Sequence, residues 1–376
     1  MHHLSEKVKK QERAKMHMDS REQCNIREQK NSLTGGDSFM AYETKDHETQ
    51  YCFPAINSSC IKGKRSSHEY NIIYMFVLLL SAWTVFLNLL VIISISHFKK
   101  LHTPTNLIIL SLAVADMLIG LIVIPVEGIK QIETCWYFGD TYCGLFVITV
   151  RLLLSTSLCN LILIAVDRYM AVCYSLLYPQ KITTTKTLIS ICLCWLFCSV
   201  YNIWYVISNG YFNTSDKTLC YGQCIVLITN AWKFIDLIFS FLFPCTVIIT
   251  AYLRIFYVVQ RQVKVINSQM SGVKCVMEVS VRRKSERKAA LTLGIIVTAY
   301  LLCWIPFYIC SLTKTTAISS TSMTFLTWTF HINSGLNPIV YALFYRWFKI
   351  SVKYILTFRI FQPASSLIDI FTDYYS

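Results

Sequence analysis

Charge is scarce in this chain. Asp, Glu, Lys and Arg make up 15% of its 376 residues, where a soluble domain carries about 25%. Acid is the scarcer sign, with 21 Asp+Glu against 35 Lys+Arg and a formal net charge of +14. Glycine is sparse too, and none of the 12 sits in a phosphate-binding loop. No hydrolase triad, internal repeat or metal-ligand cluster is legible in the spacing. Cys159, Cys192, Cys194, Cys198, Cys245, Cys303 and Cys310 lie in apolar stretches and read as packing. These absences point away from an enzyme. Low charge with a 54% apolar set also excludes a disordered chain.

What the chain has is length of apolar run. Seven stretches, roughly 72–97, 105–128, 143–166, 187–208, 232–257, 289–312 and 322–344, approach the ~20 residues that carry a helix across a bilayer. Buried helices of a soluble domain would not recur seven times with short loops between most of them. The expected fold class is therefore all-α: a seven-helix membrane bundle over 72–344, because only internally bonded helices satisfy every backbone group in hydrocarbon.

Basic residues set the direction. With the N-terminus outside, the inner loops hold Lys99 and Lys100, then Arg168, Lys181 and Lys186, then nine between 254 and 288, then Arg346, Lys349, Lys353 and Arg359. The outer span ends hold only Lys62, Lys64, Arg65, Lys130, Lys217 and Lys314. Most of the positive charge thus belongs at the cytoplasmic face and needs no nucleic acid. No secretory signal precedes the first span. Residues 1–39 contain no apolar run and are expected to be an extension without structural role. Residues 40–71 read as the extracellular N-terminal segment, and 345–376 as a cytoplasmic helix and tail.

Cys24, Cys52, Cys60, Cys135, Cys143, Cys220 and Cys224 fall on the outer side, where disulfides persist. A Cys143–Cys224 bridge would tie the loop before span five across the bundle mouth. A Cys60–Cys220 bridge would fold the N-terminal segment onto the same loop. Sequence leaves the pairing open. Glycosylation sequons at Asn57 and Asn213 lie on this face.

Ionisable residues inside spans are costly and mark function. Here they include Asp116, Arg151, Asp167 with Arg168, Asp236 and His331. Pro125, Pro244, Pro306 and Pro338 interrupt spans, and proline kinks a helix by removing a donor.

Together these residues resemble a known family. Asn88, LAVAD ending at Asp116, Trp136 before Cys143, Asp167-Arg168-Tyr169, Trp195, Pro244 with Tyr252, Cys303-Trp304-Ile305-Pro306 and Asn337-Pro338-Ile339-Val340-Tyr341 are similar to the rhodopsin-like, class A G-protein-coupled receptors over about 65–360. Within that class, NSGLNPIVYALFYRWF at 333–348, LHTPTN at 101–106 and the NSSC before span one resemble the trace amine-associated receptors, in the style of the fish olfactory members.

The resemblance implies a switch. Arg168 would rest against the inner end of span six, where Glu286 sits in RRKSERKAA. Opening would expose Arg168 to a heterotrimeric G protein, and Tyr252 and Tyr341 would then bond inward. Asp116, Ser157, Asn333 and Asn337 match the family's sodium pocket, an oxygen set that suits a small hard cation; no cofactor besides such an allosteric ion is implied. Implied partners are a small amine, a stimulatory or olfactory G protein raising cAMP, arrestin, a receptor kinase and the lipid bilayer. The implied location is the plasma membrane of olfactory sensory neurons. The tail at Tyr345-Arg346-Trp347-Phe348-Lys349 reads as an amphipathic helix on the inner leaflet. No Cys follows Cys310, so its anchoring is assigned to Trp347, Phe348, Ile350 and the basic residues.

An opsin would need a lysine in span seven, and 322–344 has none. A transporter would show repeats and helices broken near the midplane. The amine site departs from the wider aminergic pattern. The usual span-three Asp, 17 residues before Asp167, is Val150 here, and His331 stands where the subfamily usually has Tyr. Asp236 lies eight residues before Pro244, as in some fish members. At 3.6 residues per turn, Asp236, Ser240 and Phe243 share a face. Asp236 is therefore the expected ammonium anchor, with Trp304, Phe307, Tyr308 and Trp328 lining the pocket. The competing reading is an internal Asp236–Arg151 pair in a receptor for an amino acid, peptide or other non-amine ligand, to which Lys233 would also contribute.

Overall fold

The computed structural model describes residues 50–209, 220–226, 228–268, 294, 298, 300–306, 308, 309, 320–363 and 365–367. Residues 1–49, Asn213, Glu286, Phe307 and Cys310 lie outside this set. Among the described residues five helices are long and apolar enough to cross a membrane: Ser67–His97, Pro104–Glu133, Gly139–Cys173, Thr184–Ser208 and Asn230–Arg261. They are spans one to five. Span seven is the helix Ser320–Phe344, and the tail helix is Arg346–Leu356. Described parts of span six include 300–306.

The helices outrun the apolar stretches that announce them, because hydropathy reads only the greasy part of a continuous hydrogen-bonded rod. Their starts are set by polar caps. Ser66 and Glu69 close a reciprocal box ahead of span one, each backbone N–H donating to the other's side chain at 3.2 Å. Thr103 caps span two, with Pro104 filling the first turn. Thr183 caps span four. Span three runs on past Asp167 and Arg168 to Cys173.

Two prolines are accommodated by wide π-turns rather than by open breaks. Ile119–Val123 precedes Pro125 and Ile238–Leu242 precedes Pro244. Each wide turn absorbs one extra residue and rotates the rest of its helix about the axis. Ser81 in span one donates to the Gly120 carbonyl in the first of these turns at 2.7 Å.

Span three is the central post, packed on spans two, four and five; spans two and seven flank span one. The largest core gathers Leu90, Ile109, Leu112, Leu161, Ile164, Ile248 and Tyr341. Outward faces carry bare apolar side chains such as Leu78, Leu79, Trp83 and Phe86. A belt of that size is stable against hydrocarbon, not water.

The tail helix departs from expectation. Trp347 and Phe348 are 6% and 2% exposed and belong to the bundle core. They plug the helix onto the protein and do not anchor it in a leaflet. Phe358, at φ 57, reverses the chain, and His97 Nε2 meets Ser365 Oγ at 3.0 Å, returning the tail to the end of span one.

Candidate functional site

One end of the bundle is capped by three disulfides. Cys143–Cys224 and Cys60–Cys220 are both present, with Cα atoms 5.6 and 5.1 Å apart. A third, Cys52–Cys135, was not singled out by sequence because the outer cysteines allow many pairings. Backbone bonds weave the same layers: Cys60 N–H to Tyr221 O at 3.0 Å, Tyr221 N–H to Ser58 O at 2.7 Å, and Trp136 N–H to Gly222 O at 2.8 Å. Gly222 has φ +98, and a Cβ there would come within 3.0 Å of the Phe53 ring. Only glycine suits that crossing. Lys62 pairs with Glu133 at 3.1 Å, and this carboxylate raises the Lys62 pKa. Asn57 is exposed on the cap.

Below the cap, span three meets span five. Arg151 Nη2 lies 2.6 Å from Asp236 Oδ1. Ser240 Oγ donates to the same oxygen at 2.8 Å and Tyr201 OH at 3.3 Å. The Arg151 guanidinium lies 3.7 Å from the centre of the Tyr205 ring, a favourable cation–π placement. Both charged side chains are largely removed from solvent, at 21% and 15% exposure. Span-three register delivers Arg151 here, while Val150, one residue earlier, packs with Trp136 and Phe146 under the cap. Tyr201 and Tyr205 were missed by sequence reasoning; their i, i+4 spacing on span four was the available signal.

Phe243 is a correction. It is 59% exposed and leaves the face shared by Asp236 and Ser240. The π-turn between them adds a residue, so the 3.6-residue count fails across it.

Aromatic contacts join spans five, six and seven. Phe241 meets Tyr308 at 4.6 Å between ring centres, Tyr308 meets Trp304 at 6.0 Å, and Trp304 meets Phe330 at 5.1 Å. His331, 1% exposed, touches Phe330 and Trp328 edge-on. The structure thus brings Asp236 to Arg151, Trp304 to Tyr308 and Trp328 to His331; Phe307 is outside the described residues.

Mid-bundle, Asp116 is fully buried. Ser157 Oγ donates to its Oδ1 at 3.1 Å and Asn337 Nδ2 to its Oδ2 at 2.8 Å. Ser334, not singled out by sequence, also reaches it, and Asn333 is buried one residue away. These hydrogen-bond partners of the carboxylate, among the described residues, are all neutral. A buried carboxylate with hydroxyl oxygens beside it fits a small hard cation.

At the far end, Asp167 Oδ2 receives Arg168 Nη2 at 2.6 Å and Thr105 Oγ1 at 2.7 Å. Arg168 also contacts Thr105 directly. Tyr178 OH donates to Asp167 Oδ1 at 2.7 Å, and burial raises the Tyr178 pKa. Tyr169 packs on Tyr174. The hydroxyls of Tyr252 and Tyr341 are buried without a hydrogen-bond partner among the described residues. Pro338 is carried inside span seven. Glu286, the expected partner of Arg168, falls outside the described residues.

Sulfur atoms also gather between two spans. Cys159 of span three and Cys194 and Cys198 of span four are packed as expected, yet their Sγ atoms all lie within 4.8 Å of one another. The metal-ligand spacing that local sequence lacks arises between two helices.

The model of the 7 transmembrane receptor (rhodopsin family) matches residues 87–341. The chain belongs to that family. Within it the receptor groups with trace amine-associated receptors. It is 40% identical over 331 residues to trace amine-associated receptor 13c of Danio rerio, covering 86% of this chain and 97% of that protein. It is 36% identical over 341 residues to receptor 8a of Rattus norvegicus, with the same two coverages. For receptor 5 of Mus musculus the figures are 35% over 341 residues, 87% and 97%. The receptor is a multi-pass membrane protein and not an enzyme.

Proposed function

We propose that this receptor detects small amines and that Asp236 takes the ligand ammonium in exchange for Arg151. Kinship with the trace amine-associated receptors carries the reading, and the Arg151–Asp236 ion pair at 2.6 Å marks the carboxylate an ammonium could take over. A charged carboxylate in an apolar bundle is stabilised by a positive partner, and an ammonium can replace a guanidinium at that oxygen. Ser240 and Tyr201 then serve as the neutral donors that stay. Displacing Arg151 removes an ion pair between spans three and five, and span three carries Arg168 at its other end. Release of Arg168 from Asp167 and Thr105, with Tyr252 and Tyr341 gaining partners, would admit a stimulatory or olfactory G protein and raise cAMP. The Glu286 lock, arrestin and receptor kinase, an outside N-terminus and an olfactory neuron membrane belong to the same proposal, as does a sodium ion on Asp116, Ser157, Asn333 and Asn337 in the resting state.

A second reading is favoured by one observation. Arg151 Nε is buried without an acceptor among the described residues. An amino acid or other carboxylate-bearing ligand would supply one. Amines and amino acids screened in a cAMP assay, on the parent and on Asp236→Asn at equal surface expression, separate the two. Loss of amine responses in Asp236→Asn is expected; unchanged amine potency would overturn the anchor.

A further inference from the structure

We propose that Cys159, Cys194 and Cys198 form a binding site for a soft monovalent ion of the cuprous class, cross-bracing span three to span four at the middle of the bundle. Cys194 and Cys198 stand one turn apart on span four, 5% and 3% exposed, and Cys159 faces them from span three. A metal–sulfur bond of about 2.3 Å puts the sulfurs of a trigonal set about 4 Å apart. The observed 4.8 Å limit is therefore within a small closure of coordination geometry. No pair among the three is bridged, so all three sulfurs are available as ligands.

The donor set chooses the ion. Three sulfurs with no oxygen ligand select a soft cation over magnesium or calcium. Coordination number narrows the choice further. A structural zinc site is almost always closed by four ligands, and among the described residues three metal-ligating side chains gather here, a set that suits a three-coordinate monovalent ion. Each sulfur that binds does so as thiolate, releasing its proton to water as the metal–sulfur bond forms. No electron is transferred. The surroundings support a sulfur anion. Thr156, three residues before Cys159, is fully buried with its hydroxyl lacking any hydrogen-bond partner among the described residues. Asn202 donates to Ser155 Oγ at 2.8 Å and to the Cys198 carbonyl at 2.7 Å, fixing these groups in place. Donors around ligand sulfur orient it and tune the metal.

The brace would sit two residues past Ser157, which holds Asp116. An ion there would hold span three against span four and oppose any shift of span three during activation.

The test uses the full receptor in lipid nanodiscs without oxygen. Cuprous ion is supplied as its acetonitrile complex, with bathocuproine disulfonate as competitor, and bound copper is counted. The parent is expected to retain one copper more than Cys159→Ser/Cys194→Ser/Cys198→Ser, and Cys192→Ser to match the parent, since Cys192 is exposed on another face of span four. Should the triple variant misfold, the unmodified receptor answers alone. Copper-edge X-ray absorption of the receptor loaded with one equivalent of cuprous ion should show only sulfur neighbours, at about 2.3 Å. Equal copper in parent and folded triple variant, or nitrogen and oxygen in place of sulfur around the bound copper, overturns the site.

Discussion

At the scale of single residues, the ion pair of Arg151 and Asp236 governs what the receptor can sense. Arg151→Gln removes the resident cation and leaves Asp236 uncompensated. Breaking one side of a buried pair costs roughly 3–5 kcal/mol, reduced here because both side chains keep some exposure. The unliganded receptor should melt lower in a thermal-shift assay while amines gain potency in cAMP dose–response curves, since the ligand no longer competes with a guanidinium. Val150→Asp should broaden the response towards diamines by placing a second carboxylate one residue from Arg151; a response range identical to the parent would refute this. Both charges of the pair were legible in the sequence, as ionisable residues in apolar runs. Their contact was left as one of two alternatives, because register between helices is not written in the local spacing of either. Phe243 was misread for a sharper reason: a count of 3.6 residues per turn assumes that the helix is regular.

At the scale of elements, the wide turns before Pro125 and Pro244 set how the bundle halves face each other. Deleting Phe239 from Ile238–Leu242 should restore an ordinary helix and swing Asp236 by about 100° relative to Pro244. The expected outcome is loss of amine response at matched surface expression. The tail helix makes a different prediction. Phe348, 2% exposed, is a core residue, so Phe348→Ala should cost about 3–5 kcal/mol and lower the melting temperature in detergent as well as in lipid. A residue that served only as a leaflet anchor would matter in lipid alone. Sequence read the tail helix correctly as amphipathic and misassigned its apolar face, because a bilayer and a protein core select the same side chains.

At the scale of the whole molecule, the spans were readable because hydrocarbon tolerates little else; of the cap's bridges, Cys143–Cys224 and Cys60–Cys220 were named and Cys52–Cys135 was not, because disulfide pairing depends on the finished fold. Lys62 ties the cap to pH. Its pKa is raised by Glu133, so its contribution is complete below the ordinary lysine value and fades as pH climbs through the folded one. Thermal stability should therefore not change on this account between neutral and mildly alkaline pH, and Lys62→Met should cost under about 1 kcal/mol, as exposed pairs do. The three bridges have a consequence for how the chain can be cut. A protease acting between 210 and 219 would separate a piece carrying Cys60 and Cys143 from one carrying Cys220 and Cys224. Two covalent ties still span that wound. The severed receptor should run as a single species on a denaturing gel until a reductant is added, and the two pieces should part only after both ties are gone.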